Sequence, residues 1–150
     1  MSTHKKKTVF IEGPISPDFI AQSIAHHSVK TNIGAHSIFL GQVRADEIDG
    51  QTVKAIEYTT YRELAEDKLH EIREAAFEKY DLVCMHIYHS LGVVPCGEMC
   101  LFVFTSSKHR KDAQEACDYI VERIKKEVAV WGKEIFEDDT HIWKKNTLKS

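Results

Sequence analysis

Met99-Cys100-Leu101-Phe102-Val103-Phe104-Thr105-Ser106-Ser107-Lys108-His109-Arg110 is the stretch on which the fold turns. Its first seven residues carry no charge and read as a strand, Met99 to Thr105. The strand runs straight into a polar, basic segment and then into the longest helix of the chain, Lys111 to Val130. In that helix Ala113, Ala116, Cys117, Ile120, Ile124 and Val128 recur at helical spacing and form a buried stripe. Working backwards, Pro95-Cys96-Gly97 marks a turn before the strand, and Leu82 to Leu91 is the strand it pairs with. Glu63 to Tyr80 precedes these as a helix, with Leu64, Leu69, Ile72, Ala76 and Phe77 as its apolar face.

Further upstream, Gly34 to Arg44 and Val53 to Tyr61 read as two strands joined through Asp46–Gln51, where Asp49-Gly50 signals a hairpin. In the second of them Val53, Ala55, Glu57 and Thr59 alternate with Lys54, Ile56, Tyr58 and Thr60. Ser16-Pro17 is a helix start, with Ser16 as N-cap and Pro17 at the first helical position. Phe19, Ile20, Ile24 and Ala25 stripe that helix as far as about Ser28. Thr8 to Glu12 is a short strand broken by Gly13-Pro14. After the long helix, Trp131, Ile135, Phe136, Ile142 and Trp143 read as a tail covering the sheet. The order β-α-β-β-α-β-β-α-(β) brings strands in as hairpins, so an α+β fold with a mostly antiparallel sheet follows.

The chain has 150 residues, 43% of them hydrophobic and 29% charged, with a formal net charge of -3. That suits one domain spanning 1–150 with its own core, residues 1–7 forming a disordered basic tail. A slightly acidic chain is no bulk polyanion binder, so a basic site has to be made by placement. The chain has neither the apolar region of a secretory signal nor a run of roughly 18 apolar residues, so a cytoplasmic protein without a membrane span is expected. Cys84, Cys96, Cys100 and Cys117 then read as reduced core residues.

Three places invite chemistry. Ser107 reads as the N-cap of the long helix, and Lys108, His109 and Arg110 crowd positive charge where the helix dipole disfavours it. An anion, phosphate or carboxylate, would relieve that cost; the plain alternative is a solvated helix start. Lys125 lies at the edge of the buried stripe, between Val121 and Val128 along the helix face, which makes it a candidate acid/base or nucleophile, or else a snorkelling surface lysine. Arg44 ends a strand beside Gly41 and shares a face with Gln42; it suits bidentate anion recognition, or it is an exposed strand-end arginine. No metal and no cofactor is expected. His86 and His89 fall on opposite faces of a strand, and Cys96 sits in a turn away from Cys100. Neither a nucleophile elbow nor a glycine-rich phosphate loop is present.

Phe39-Leu40-Gly41-Gln42-Val43-Arg44, Ile56-Glu57-Tyr58, Ser106 to Arg110, Lys125 and Trp131-Gly132-Lys133-Glu134 together resemble, in order and at spacing, the large catalytic subunit family of molybdopterin synthase. The resemblance covers about Val9 to Trp143. It implies an α/β-hammerhead type of fold with an additional small antiparallel sheet and about three helices. It implies a homodimer within a heterotetramer, flanked by small ubiquitin-like sulfur-carrier subunits that end in a Gly-Gly thiocarboxylate. Sulfur would pass from that tail to cyclic pyranopterin monophosphate, making the molybdopterin dithiolene. His109 and Arg110 would hold the substrate phosphate or pterin across the dimer, Gln42 and Arg44 would line the pocket, Glu134 would lie with them, and Lys125 would face the thiocarboxylate.

The chain departs from the family at Gly132, where a second functional lysine is usual. Lys133 takes over, or Lys126 does, or the role is dispensable; Lys133 is the favoured replacement, since Lys126 points about 100° away from Lys125 on a helix. The basic residue of the family near the C-terminus has no clear match in Lys144 or Lys145. A non-catalytic module of the same fold, binding a ubiquitin-like tail or an anionic metabolite, is the alternative. A nucleic-acid binder is disfavoured by the net charge and by the lack of an aromatic-basic motif.

Overall fold

The computed structural model describes residues 9–138 and 140–145, with side chains up to His141. The basic residues 1–7, and the side chains of Ile142, Trp143, Lys144 and Lys145, lie outside that range. Among the described residues, eight strands and three helices follow one another as β1 (Phe10–Glu12), α1 (Pro17–His27), β2 (Ala35–Gln42), β3 (Glu47–Ile48), β4 (Gln51–Thr60), α2 (Arg62–Lys79), β5 (Cys84–Pro95), β6 (Met99–Ser107), α3 (Arg110–Glu127), β7 (Val130–Phe136) and β8 (His141–Lys145). The strands lie in the order β2-β6-β5-β4-β7-β8, with β3 beside β4 and β1 beside β5. All pairings are antiparallel except β1 with β5. The expected α+β class with three helices is what the chain adopts.

The uncharged run Met99–Thr105 sits at the centre. Every residue of β6 from Cys100 to Ser107 is buried, because both faces of the strand are covered. Leu101 and Val103 face a core built with Leu69, Ile72, Cys117, Ile120 and Ile124 of α2 and α3. Phe102 and Phe104 face the other way, in a second core with Ile15, Phe19 and Ile20 at the start of α1. Its neighbour β5 is shared by two sheets. Cys84–His89 pair with β6, and Gly92–Pro95 pair with β4. Gly92, at φ +83°, makes the change of course between them. The smaller antiparallel sheet formed by β4, β7 and β8 therefore grows out of the far end of a strand that begins in the main one.

Several boundaries differ from the sequence reading. Ser107 ends β6 instead of capping α3: its hydroxyl donates to the Asp81 carbonyl (2.7 Å), and His109 occupies the N-cap without a side-chain cap bond. Gly34 explains the tightness there. Its N–H donates to the Ser107 carbonyl (2.9 Å), and a Cβ at Gly34 would collide with the Lys108 carbonyl oxygen. At its other end α3 stops at Glu127, and residues read as the last helical turn and tail become the β7–β8 hairpin. Alternation of Val130, Gly132, Glu134 and Phe136 (buried) with Trp131, Lys133 and Ile135 is the signal for that strand. Leu64 is exposed (69%), and Ala65 takes its place in the core. Ser16 caps α1 as expected, accepting from the Phe19 N–H at 3.1 Å.

Candidate active site

A cleft of about 240 Å³ opens where the two sheets part company. Its walls come from the end of β2 (Phe39 to Arg44), from Ile56 and Tyr58 of β4, from His89 and Cys100, from the last turn of α3, and from Val130 and Glu134 of β7. Residues far apart in sequence meet here because β5 carries the chain from one sheet to the other. Of the residues singled out from sequence, Gln42, Arg44, Lys125 and Glu134 all line this cleft.

Lys125 enters from the helix. Ile124 and Val128, both buried, flank its stem, and no ion pair of Lys125 occurs among the described residues. The last turn of α3 is held from outside by a charge network. Arg123 donates twice to Glu127 (2.7 Å each), Lys68 of α2 lies 3.7 Å from Glu127, and Glu71 lies 3.6 Å from Arg123. The hydrogen bond from Arg123 holds the Glu127 carboxyl below its usual range. Arg44 stands at the rim, 67% exposed, with a loose pair to Asp46 (3.4 Å) that contributes little energy and leaves the guanidinium available.

The floor is made of groups that the sequence reading passed over. His89 is buried, and its Nδ1–H donates to the Ser90 carbonyl at 2.7 Å. A carbonyl only accepts, so in the neutral ring Nε2 carries the lone pair. Burial drives the His89 pKa down to about 4, the bond to Ser90 opposes this, and the Lys125 charge adds to the lowering. Tyr58 packs edge-on against His89, ring centroids 5.3 Å apart. Burial pushes the Cys100 thiol up, against a hydrogen bond with Tyr58 and the pull of Lys125. Cys100 is therefore held as a thiol, a poor nucleophile at neutral pH. Pairing His89 with His86 as a possible ligand set hid its part here; its place opposite Tyr58 depends on the β4–β5 pairing, which no local pattern reveals.

Lys133, Lys126, His109 and Arg110 do not line the cleft. In β7 Lys133 points to the face opposite Glu134, and its ammonium lies 3.0 Å from Glu57, its neighbour across β4. Lys133, expected to replace the missing lysine, is thus turned away from the cleft of its own chain, because a one-residue step in a strand reverses the side chain. Gly132 is on the cleft face. A Cβ there would sit 3.0 Å from Ile56 Cγ2 and 3.7 Å from the Tyr58 ring, so the wall is closed around a glycine. Lys126 is exposed one helix position on. His109 and Arg110 are exposed at the far end of α3; fifteen residues of helix put Arg110 about 22 Å from Lys125.

The family model described as MoaE protein matches residues 11–127. The chain belongs to the MoaE protein family. Its match ends with α3, so Gly132, Lys133 and Glu134 lie past it. The chain is 37% identical over 140 residues to a protein of Pyrococcus abyssi named molybdopterin synthase catalytic subunit, covering 93% of this chain and 91% of that relative. It is 38% identical over 113 residues to a protein of the same name from Oryza sativa subsp. indica, covering 75% of this chain but only 58% of the longer rice protein. Among solved structures, molybdopterin synthase from Staphylococcus aureus superposes with a TM-score of 0.79 at 32% identity, covering 94% of this chain and 98% of that one. This MoaE-family chain also shares its fold, at 21% identity and a TM-score of 0.76, with a chain from a protein–protein complex of subunits 1 and 2 of molybdopterin-converting factor from Helicobacter pylori; 90% of this chain and 88% of that one are covered.

Proposed function

We propose that this chain is the catalytic subunit of a molybdopterin synthase, a sulfurtransferase that moves sulfur from the C-terminal thiocarboxylate of a small ubiquitin-like carrier onto cyclic pyranopterin monophosphate. The observation that carries the reading is the Lys125 ammonium, without an ion pair among the described residues, set in a narrow cleft beside Gln42, Arg44 and Glu134. At about 240 Å³ the cleft is smaller than the roughly 300 Å³ or more of pockets that bury a whole compact ligand. It suits a slender chain end such as Gly-Gly, with the second reactant at the mouth.

In this mechanism Lys125 neutralises and polarises the thiocarboxylate as it arrives and the carboxylate as it leaves. Arg44 and Gln42 at the rim hold the anionic substrate. His109 and Arg110, some 22 Å from the Lys125 of their own chain, serve the cleft of a second copy and grip the phosphate there; the working assembly is thus a homodimer within a heterotetramer. Cys100 stays a thiol, so the transferred sulfur comes from the carrier. Lys125 does this work without a second lysine, since Gly132 stands on the cleft wall and Lys133 is held by Glu57. No helix among the described residues is long and apolar enough to cross a membrane. Four unpaired cysteines agree with a cytoplasmic setting.

The test is reconstitution. The purified chain alone should be inert, and dithiolene should form once the thiocarboxylated carrier and the pyranopterin precursor are both present. Tight carrier binding without product would establish the alternative of a non-catalytic module, which the glycine at 132 favours. Full activity in Lys125→Ala would overturn the role of the lysine.

A further inference from the structure

On the other side of β5, away from the cleft, three ligand-bearing side chains converge. Cys84 and His86 lie two apart on the strand and so share a face. His27, in the last turn of α1, faces them. One donor atom from each of the three lies within 4.8 Å of the others. His27 and Cys84 are buried and His86 is partly so. We propose that His27, Cys84 and His86 bind a zinc-class divalent ion in a site separate from the catalytic cleft.

The orientation of His27 argues for a ligand. Its Nδ1 lies 2.6 Å from the Ser23 carbonyl and must donate to it, so in the neutral ring Nε2 presents a lone pair. That nitrogen is 3.0 Å from His86 Nε2. A carbonyl on the distal nitrogen is the usual partner that fixes a metal-binding histidine. Zinc–nitrogen bonds of about 2.0–2.1 Å and zinc–sulfur bonds of about 2.3 Å place tetrahedral ligand atoms about 3.3–3.6 Å apart. The three donor atoms lie within 4.8 Å of one another, and the two Nε2 atoms are 3.0 Å apart, so they bracket that spacing. Two imidazoles and a sulfur select zinc-like ions over magnesium or calcium.

Lys30 Nζ lies 2.8 Å from Cys84 Sγ and can keep donating to the bound thiolate. The fourth position faces a cleft of about 280 Å³ lined by Ser23, His26, Lys30 and Tyr88, through which water completes the tetrahedron. On binding, the Cys84 thiol proton leaves to solvent, and the proton that His86 Nε2 donates to His27 is exchanged through solvent for one on His86 Nδ1. Both histidines then ligate as neutral imidazoles and the cysteine as thiolate. The ion would tie α1 to β5.

The test is a Co²⁺ titration of the metal-free full-length chain, followed by Zn²⁺ displacement. The expected result is one equivalent per chain, with intense visible bands of a tetrahedral ion and a thiolate-to-cobalt charge-transfer band. Zn²⁺ should abolish these bands and raise the Tm. Cys84→Ser should remove the charge-transfer band, and His86→Gln should weaken binding at least about 10-fold, while Cys96→Ser and Lys125→Ala change neither. An octahedral spectrum, no charge-transfer band in the unmodified protein, or a band that survives in Cys84→Ser would each overturn the proposal. The measurement on the unmodified chain decides the matter even if a variant fails to fold.

Discussion

The two ends of α3 carry the same kind of charge and live in different surroundings. At the C-terminal end Lys125 sits in a cleft, its stem between Ile124 and Val128, above a neutral histidine and a protonated thiol. At the N-terminal end His109 and Arg110 stand in solvent, with no side chain capping the helix. One end lines a cleft of its own chain, and the other stands about 22 Å away from it. The difference teaches that the anion site foreseen at the helix start and the lysine foreseen at its end are not one pocket of one chain. They form one pocket only if a second copy brings them together.

The largest effect expected is at the buried end. Lys125→Ala should lower the rate of sulfur transfer by about 10²–10³-fold, the loss typical of one charge-stabilising donor, with an unchanged melting curve. The same end should dominate acid sensitivity. The folded-state pKa of His89 is lowered from 6.5 to about 4, so the unfolded chain takes up the proton first as pH falls. Stability from this group is intact above pH 6.5 and is lost progressively down to about pH 4, by roughly 3 kcal/mol. Urea denaturation across that window should show the slope, and His89→Gln should flatten it.

At the exposed end, Arg110→Ala should cost about 10-fold or more in kcat/KM, chiefly through KM for the phosphorylated substrate, as for a lost charged hydrogen bond of about 1.5–3 kcal/mol. Mixed dimers of Arg110→Ala and Lys125→Ala chains should regain activity that neither variant has alone. Failure to complement would break the comparison and return both ends to separate roles. Gly132→Lys should destabilise by about 1–3 kcal/mol through overpacking against Ile56. Ile56→Ala in the same chain should give back part of that loss in thermal denaturation. Smallest of all, Lys133→Ala should leave kcat unchanged and cost no more than about 1 kcal/mol, the worth of its pair with Glu57.

Much of this was legible in the chain and some was not, for physical reasons. The stripe of α3 from Ala113 to Val128 and the Ser16-Pro17 helix start are local patterns, and both hold. Lys125, Arg44 and Gln42, singled out by residue type and position, and Glu134, singled out by the resemblance, line one cleft. Parity misled where the element was misread: with β7 taken as tail, nothing forbade Lys133 from standing in for Gly132, whereas in a strand neighbouring positions face apart. Ser107 looked like a cap because the length of β6 is set by its pairing with β2 and not by its own residues. His89, Tyr58 and Cys100 were invisible as a group, since only the turn of β5 at Gly92 brings β4 over β5.

The charge network on the outer side of the last turn of α3 has a further consequence. Helix ends ordinarily fray, and their amides exchange early. Here Arg123, Glu127, Glu71 and Lys68 fasten that turn to α2. Lys125 is then a stationary post, and in the proposed reaction the mobility of delivery falls to the carrier tail, which would thread in, react and withdraw while the receiving backbone keeps still.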